Sequence, residues 1–412
     1  MDIAAPSNPD SRPIEKLPED ILLHIFRHCV EMGDTVRAPA LTCRNWYRVV
    51  EANPSLRGRI QFSSTGDLEI HNREPDQVCK TPSQLTRAIG RVKDALFTLS
   101  FSNHIGWKQS PSDPWSDVPW DRFANQCVRL SIIADHHADP VLVHFPKLYR
   151  LRCFEDGMKF GDVPFLSHIL SSNPELHLDH ISMYAPAFDA SEYPEVAAQL
   201  KTCKIEYLPW RGVDRYKRLL SAFRDLEEME WTQQNPPPED FEESVSWNFS
   251  LKSLKGPGII PSVFPHRLLC GLSELRVDSE MRPLQDYYSA KPSITLPLLT
   301  RLFLTGSWIE LIQIRAPALQ SLTLRYATKP LVRGSMAYLL KTSLRPSSLD
   351  ITDEGDGETL TAFLRGPFKD VINLRMNVKQ AWVHKKDFLG LIAGTEEEPP
   401  ICPRMKHLVK RK

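Results

Sequence analysis

The chain of 412 residues has few cysteines, few glycines and no long apolar run. Its eight cysteines form no C-x-x-C pair, which excludes a local zinc ribbon or redox motif and favours reduced, intracellular thiols. Eighteen glycines leave little material for phosphate-binding loops, and no apolar run approaches the roughly 20 residues that span a bilayer. We therefore expect a protein without a membrane segment, located in the cytoplasm, the nucleus or both.

The chain also lacks an excess of either charge, since 51 Lys and Arg residues balance 51 Asp and Glu residues. Nucleic acids and anionic membranes select a basic excess, so the composition predicts neither as a partner. Catalytic signatures are missing too, because there is no phosphate loop, nucleophile elbow or H-E-x-x-H motif. The sequence predicts a non-catalytic protein with no cofactor and no metal.

Two polar clusters in the sequence have residue types that could form metal or catalytic sites. His24 and His28 lie four residues apart on one predicted helix, but no third ligand is near in sequence, so a solvated helix face is the simpler interpretation. The run Asp135-His136-His137-x-Asp139 could hold a metal or relay a proton in a hydrolase. It follows a predicted strand directly and is more typical of a polar turn.

The N-terminal segment has the pattern of a short helical domain that follows a disordered leader at residues 1–13. Pro18 and the acidic residues after it suit the first turn of a helix. Apolar residues then recur at helical spacing, at Ile21, Leu22, Ile25, Phe26 and Cys29. A second apolar face is formed by Cys43, Trp46, Val49 and Val50. Three short helices in about 45 residues cannot bury this surface alone, so a partner protein is expected.

These residues resemble the F-box of fungal F-box proteins. The resemblance rests on three elements in order: Leu17-Pro18-Glu19-Asp20-Ile21-Leu22-x-x-Ile25-Phe26, Leu41-x-Cys43-Arg44-x-Trp46 and Asn53-Pro54-x-Leu56. The family usually has an aliphatic residue where Thr42 stands and a tryptophan where Arg57 stands. The resemblance places an F-box at residues 14–60 and implies docking on the Skp-type adaptor of a cullin-based (SCF) ubiquitin ligase. Carried over by position, the implied adaptor contacts are Leu17, Pro18, Ile21, Leu22, Ile25, Phe26, Cys43 and Trp46.

From about residue 90 the chain repeats an L-x-x-L-x-L element, mostly at intervals of 20 to 31 residues, close to the period of leucine-rich repeats. Clear copies begin at Leu178, Leu200, Leu272, Leu299 and Leu319. Looser copies begin at Leu96, Cys127, Leu148, Leu226 and Val371, and degenerate ones lie near Leu251, Leu349 and Met405. One such unit cannot hide its apolar side, whereas stacked units form a continuous parallel sheet and core.

The predicted fold class is α/β. A short N-terminal three-helix F-box is followed, over residues 61–412, by an irregular leucine-rich-repeat solenoid with a parallel β-sheet on its concave face and helices outside. The repeats resemble the irregular arrays that follow the F-box in many fungal proteins. Amphipathic segments suit outer helices at 84–95, 165–171, 213–223, 336–341 and 388–393, and prolines often come just before a strand.

Outward strand residues of such an array would face a target protein. Arginine and aromatic side chains concentrate binding energy at protein interfaces. The candidate target contacts are Arg150, Arg152, Tyr184, Arg276, Arg301, Phe303, Arg325 and Arg375. The F-box resemblance and the repeat array together imply a substrate receptor that binds the Skp-type adaptor, through it a cullin, and an unknown target. The alternative is a non-ligase scaffold or recognition protein whose helical head only caps the solenoid.

Overall fold

The computed structural model describes residues 17–31, 44–53, 56, 59–63, 77–79, 81–92, 96–102, 124–134, 144–155, 169–183, 190–205, 213–232, 245–256, 264–278, 294–306, 314–325, 342–353, 363–378, 394, 400 and 402–410. The chain divides into two compact units, Met1–Phe188 and Asp189–Lys412, called unit 1 and unit 2 below.

Unit 1 begins with two described helices, α1 (Glu19–Glu31) and α2 (Arg44–Ala52). The amide of Leu22 donates to the carbonyl oxygen of Pro18 at 3.0 Å, so the first helical turn starts at the proline. Glu19 and Asp20 occupy that turn, where acidic groups complement the positive end of the helix dipole. A third helix of the predicted head would lie outside the described residues.

The rest of unit 1 is a parallel sheet with one long described helix. Its strands are β1 (Arg59–Ser63), β2 (Gln77–Cys79), β3 (Phe97–Ser102), β4 (Cys127–Ala134), β5 (Arg150–Glu155) and β6 (His180–Met183), in the spatial order β2-β1-β3-β4-β5-β6. Helix α3 (Pro82–Val92) buries Leu85, Ala88 and Ile89. Leu130, Leu151 and Ile181 align across three neighbouring strands and are buried, which fixes the core side of the sheet.

Unit 2 repeats this arrangement with more strands. The sheet contains β7 (Thr202–Ile205), β8 (Glu228–Trp231), β9 (Ser253–Gly256), β10 (Glu274–Asp278), β12 (Arg301–Thr305), β14 (Ser321–Arg325), β15 (Ser348–Asp353), β16 (Asn373–Val378) and β17 (His407–Lys410), paired in that order and all parallel. Strands β11 (Ile294–Thr295) and β13 (Ile314–Arg315) form a separate pair. The helices of unit 2 include α4 (Pro194–Gln199), α5 (Val213–Ala222) and α6 (His266–Leu269), and residues 363–365 are helical as well.

A ladder of backbone carbonyls sets the register of the strands in unit 2. The carbonyl oxygen of Ser273 accepts hydrogen bonds from the amides of Thr300 and Arg301, at 2.9 and 3.0 Å. The same double acceptance recurs at the residue before a strand at Lys201, Glu227, Lys252, Thr300, Gln320, Ser347 and Ile372. Because main-chain groups make these bonds, the outward side chains are free to vary without loss of register.

Prolines lie in the turns before several strands. Pro317 follows Ala316, whose carbonyl accepts the amide of Leu319 at 3.2 Å, so proline takes the second position of a four-residue turn. Pro146 and Pro403 occupy the same place in their turns. Proline fixes the backbone angle that this position needs and sacrifices no sheet donor, which is the placement expected from the sequence.

Each strand expected from the repeated element is present at its position, and all belong to parallel sheets. Helices α3 and α5 coincide with the amphipathic segments 84–95 and 213–223, and a helical turn at 169–172 overlaps 165–171. The segments 336–341 and 388–393 lie outside the described residues. The mixed α/β class with long parallel sheets is thus confirmed, while the solenoid and its leucine-rich-repeat class stay predictions.

Candidate functional site

The two helices of the head share a small apolar core. Buried residues from both helices and the following turn form it: Leu22, Phe26, Val49, Val50 and Leu56. Leu17, Leu23 and Trp46 pack against this cluster and are partly buried. The side-chain amide of Asn53 donates to the carbonyl oxygen of Val49 at 2.7 Å and ends α2. The head therefore holds α1 and α2 together through side chains of its own.

An apolar stripe on α1 remains exposed beside this core. Ile21 keeps 45% and Ile25 keeps 41% of its surface accessible, and Pro18 one turn earlier is exposed as well. The two isoleucines are four residues apart, so they lie next to each other on one face of the helix. Large exposed aliphatic side chains in a row are typical of a protein-binding surface. We call Pro18, Ile21 and Ile25 the adaptor face, after the partner that the F-box resemblance implies.

The structure separates the residues that the F-box resemblance implicated into two groups. Leu22 and Phe26 are buried in the core between α1 and α2, so they pack internally in this structure, and their predicted role in adaptor binding stays a prediction. Leu17 and Trp46 are partly buried on the same core. Cys43 lies outside the described residues. One exposed aromatic on α2, Tyr47, was missed because nothing in the helical spacing distinguishes it from a core residue.

The outward side of the sheet in unit 2 carries polar and aromatic side chains. Leu302 and Leu304 are buried, so their alternate neighbours Arg301 and Phe303 lie on the opposite face. The guanidinium of Arg276 lies 4.7 Å from the centroid of the Phe303 ring, and the two residues are register partners on β10 and β12. Arg301 forms an ion pair with Glu274, with 2.7 Å between Nη2 and Oε2.

Charges along this face are largely compensated by neighbours. Oε1 of Glu230 lies 2.7 Å from Nζ of Lys255 and 3.2 Å from Nζ of Lys204, so one carboxylate bridges two strands. Burial of Glu230 raises its pKa, but the hydrogen bond from Lys255 and the two lysine charges outweigh that effect and leave the pKa lowered. Arg375 approaches Asp350 at 3.9 Å. This part of the face presents paired charges rather than a field of one sign.

The predicted target contacts are distributed over both units. Arg150 is exposed at the start of β5, and Arg152 follows in the same strand with its side chain outside the described set. Arg276, Arg301 and Phe303 lie together on β10 and β12. Arg325 ends β14, and Arg375 is about half exposed on β16. Tyr184 lies outside the described residues.

The described residues contain no cluster of side chains suited to a metal ion. No group of three His, Cys, Asp or Glu side chains there could hold a metal ion, and His24 and His28 gain no third ligand. The Asp135–Asp139 run lies outside these residues. None of the described helices has the length and apolar character to cross a membrane.

An F-box-like family model matches residues 14–63, a stretch that contains α1, α2 and β1. No curated protein matches the chain. The chain therefore carries an F-box-like domain near its N-terminus, as the sequence resemblance predicted. F-box domains in general bind a Skp-type adaptor within an SCF ubiquitin ligase and are typically non-catalytic.

Proposed function

We propose that this protein is the substrate-recognition subunit of an SCF-type ubiquitin ligase. The observation that carries the proposal is the F-box-like domain whose helix α1 buries Leu22 and Phe26 and leaves Ile21 and Ile25 exposed. The Skp-type adaptor would cover the adaptor face, and a cullin would join through that adaptor. Burying one large aliphatic side chain contributes about 1.5–3 kcal/mol, so two isoleucines and a proline supply a substantial share of an interface.

The outward side of the sheets would bind the target protein. Arg276 and Phe303 form a stacked pair on this side, and arginine and aromatic residues dominate protein interfaces energetically. The protein itself would perform no chemistry. It would hold the target near the ligase, because tethering converts an encounter into an effectively intramolecular step.

Adaptor capture tests the first half of the proposal. The double variant Ile21→Asp, Ile25→Asp places charges on the adaptor face without touching the head core, and it should lose the purified Skp-type adaptor in a co-purification assay. The matched control is Leu298→Asp, since Leu298 is an equally apolar side chain, 59% exposed, in a turn of unit 2. The control should retain capture.

Two results of this assay would contradict the proposal. If the wild-type chain does not capture the adaptor, or if the double variant captures it as well as the control, the ligase assignment is wrong. The alternative, a scaffold or recognition protein whose head only caps the sheet, then becomes the better interpretation.

Target recognition is tested by proximity labelling in cells with the wild-type chain, the Ile21→Asp, Ile25→Asp variant and Phe303→Ala. A target of the ligase should be labelled by the wild-type and adaptor-face variants and lost with Phe303→Ala. It should also accumulate when the adaptor face is disrupted, because it is no longer ubiquitylated. Labelling that is unchanged by Phe303→Ala would remove this residue from the proposed target surface.

A further inference from the structure

One row of leucines crosses the sheet of unit 2 and is buried on every strand except the last. The register aligns these residues on β9, β10, β12, β14, β15, β16 and β17: Leu254, Leu275, Leu302, Leu322, Leu349, Leu374 and Leu408. The first six keep at most 3% of their surface accessible, whereas Leu408 keeps 38%. Each buried leucine has a paired strand on both sides, and among the described residues Leu408 has one only on the side of β16. The core row is therefore incompletely covered at β17.

The ladder of backbone carbonyls also reaches its last described step at this strand. The carbonyl oxygen of Ile372 accepts the amides of Lys406 and His407, at 2.8 and 3.2 Å. By the same pattern the carbonyl oxygen of Lys406 would accept two amides of a further strand, and no described strand supplies them. The side of β17 that faces away from β16 thus offers main-chain groups of the kind that strand addition uses. We call this side the β17 edge.

Both faces of β17 present an apolar side chain at this edge. Val409 follows Leu408 and keeps 45% of its surface accessible, and its register partner on β16 is Arg375. Successive residues of a strand point to opposite faces of the sheet, so Leu408 and Val409 are accessible on different faces. Such exposure is not general for an outer strand, since Cys79 on β2, the outer strand of unit 1, is only 2% exposed.

Positive charge accompanies the β17 edge. Residues 404–412 contain no Asp or Glu, and their cations are Arg404, Lys406, Lys410, Arg411 and Lys412. Arg404 is paired with Asp370 at 3.6 Å, whereas Lys406 and His407 are exposed and form no ion pair with described residues. Lysines on an outer strand oppose its pairing with a strand of like charge, which disfavours a second copy of β17. Opposite charges on neighbouring strands attract, which favours an acidic strand.

We propose that the β17 edge binds an extended acidic segment of a partner protein by strand addition. The main chain of that segment would pair with β17, an apolar side chain would cover Leu408, and an acidic side chain would lie near Lys406. In this mode of recognition the main-chain hydrogen bonds supply affinity, and alternate side chains supply specificity. The inference goes beyond the ligase proposal, because it involves neither α1 nor the Skp-type adaptor.

Fluorescence anisotropy of a labelled, blocked peptide added to the full chain tests this site. The probe Thr-Glu-Val-Leu-Val-Glu-Thr places the leucine and both glutamates on one side of a strand. The wild-type chain should bind it, and a version with lysines in place of the glutamates should bind about tenfold more weakly. A version N-methylated at the leucine and the preceding valine should not bind, because one of the two adjacent blocked groups would face β17.

Two variants locate the site on the chain. Leu408→Asp should abolish binding of the acidic probe, since it replaces the uncovered apolar side chain by a charge of the wrong sign. Lys406→Glu should weaken binding of the acidic probe about threefold to fivefold and strengthen binding of the lysine version by a similar factor. Lys147→Glu is the matched control, because Lys147 is an exposed lysine of unit 1 and the change in net charge is the same. Thermal unfolding shows whether each variant is folded, and Lys406→Glu alters only an exposed side chain if Leu408→Asp proves unstable.

Four results would overturn the inference. The first is no binding of the acidic probe to the wild-type chain at about 1 mM peptide. The second is equal binding of the N-methylated probe, which would indicate adhesion of side chains without strand pairing. The third is an equal loss of affinity in Lys147→Glu and Lys406→Glu, which would indicate a diffuse effect of charge. The fourth is a wild-type dimer in light scattering that Leu408→Asp converts to monomer, which would assign the β17 edge to a second copy of the chain.

The outcome is distinguishable from that of the ligase proposal. Lys406→Glu should capture the Skp-type adaptor as well as the wild-type chain does. The double variant Ile21→Asp, Ile25→Asp should bind the acidic probe with wild-type affinity. Loss of probe binding in that double variant would show that the probe binds the adaptor face, and the β17 site would be wrong.

Discussion

The rings of Phe26 and Trp46 meet edge to face, with their centroids 5.4 Å apart and their planes at 73°. Phe26 belongs to α1 and Trp46 to α2, so this contact joins the two described helices of the F-box-like domain. Edge-to-face aromatic pairs contribute about 0.5–1.5 kcal/mol beyond the area that they bury. In a domain with a core of so few residues, that contact is a major part of what holds the adaptor face in place.

Replacing Phe26 by alanine should destabilise the head by about 3–5 kcal/mol, because a fully buried ring is lost and a cavity is left. Hydrogen exchange of the backbone amides in α1 measures this loss of stability in the head itself, and the rest of the chain need not unfold. Ile25→Ala is the matched control, since Ile25 is on the same helix but exposed, and it should leave amide protection within about 0.5 kcal/mol of the wild-type value.

Both variants should weaken adaptor capture, but for different reasons. Phe26→Ala would act by unfolding the head, and Ile25→Ala by removing part of the contact surface. Equal protection of α1 in the two variants would contradict the assignment of Phe26 to the internal core.

Asn173 should be more important for stability than the similar residue Asn53. The side-chain amide of Asn173 donates to the carbonyl oxygen of Ile169 at 2.7 Å, and its Oδ1 accepts the backbone amide of Phe145 across 28 positions. The side-chain amide of Asn53 likewise donates to the carbonyl oxygen of Val49, but its Oδ1 accepts no described hydrogen bond from a distant backbone amide. Asn173→Ala would leave two buried backbone groups unsatisfied and should cost about 2–4 kcal/mol.

Asn53→Ala provides the comparison, because its one bond is partly buried and its loss should cost about 1 kcal/mol. Chemical denaturation of the full chain, with the slope compared between variants, measures both. A cost for Asn173→Ala no larger than that for Asn53→Ala would show that the long-range bond to Phe145 contributes little.

Most strands could be predicted because their apolar residues alternate after a leading leucine or other apolar residue, as Leu299, Leu302 and Leu304 do in β12, whereas β1, β2, β11 and β13 were not predicted. Strand β1 was missed for a physical reason. Ile60 and Phe62 alternate in the same way, but Arg57 stands where the leading leucine would be, and Leu56 one residue earlier is buried instead. Because the leading apolar residue is displaced by one position, a search for the L-x-x-L-x-L spacing does not find this copy of the repeat.

The candidate site was only partly predictable. The helical periodicity places Ile21, Leu22, Ile25 and Phe26 on one broad apolar face. The spacing alone does not show which of these residues α2 covers, because that depends on where α2 packs against α1. Arg276 and Phe303 could be paired by aligning Leu275 with Leu302. The contact between Tyr149 and Arg129 could not be predicted in this way. Tyr149 lies just before β5, and its ring reaches Arg129 on the neighbouring strand β4. Contacts of that kind depend on side-chain direction rather than on spacing.

Glu230→Gln should destabilise unit 2 in a manner that depends on pH. The carboxylate is ionised in both folded and unfolded chains at neutral pH, and its folded pKa is lowered below the usual 4.5. Its contribution is therefore fully present above about pH 4.5 and disappears as the pH falls through the lower, folded pKa. The variant should lose about 1–2 kcal/mol at neutral pH, since two lysines lose a shared acceptor.

Thermal or denaturant unfolding of the two proteins, measured from neutral pH to below pH 4, should show the difference shrinking as the pH falls. Glu228→Gln is the matched control, because Glu228 lies two residues earlier on the same strand, is exposed and forms no ion pair with described residues. A difference for Glu230→Gln that stays constant with pH would contradict a role for the ionised carboxylate.

The cysteines should differ in reactivity according to their burial. Burial raises the pKa of Cys203, which lies on the core side of β7, and it raises the pKa of Cys79 and Cys402 to about 11. At Cys79 this effect outweighs the charge of Arg91, and at Cys402 the charge of Asp370 adds to it. Since the thiolate is the nucleophile, these three thiols should be almost inert to iodoacetamide at about pH 8.

Cys270 provides the comparison within the same chain, because it is half-buried in a turn after α6 rather than enclosed in the core. Peptide mapping by mass spectrometry reads each thiol separately, so the other cysteines do not obscure the result. Among Cys79, Cys203, Cys270 and Cys402, Cys270 should be alkylated first in the native protein, and these four thiols should react at similar rates in denaturant. If Cys203 is alkylated as fast as Cys270 under native conditions, then β7 is not enclosed by the core as the structure places it.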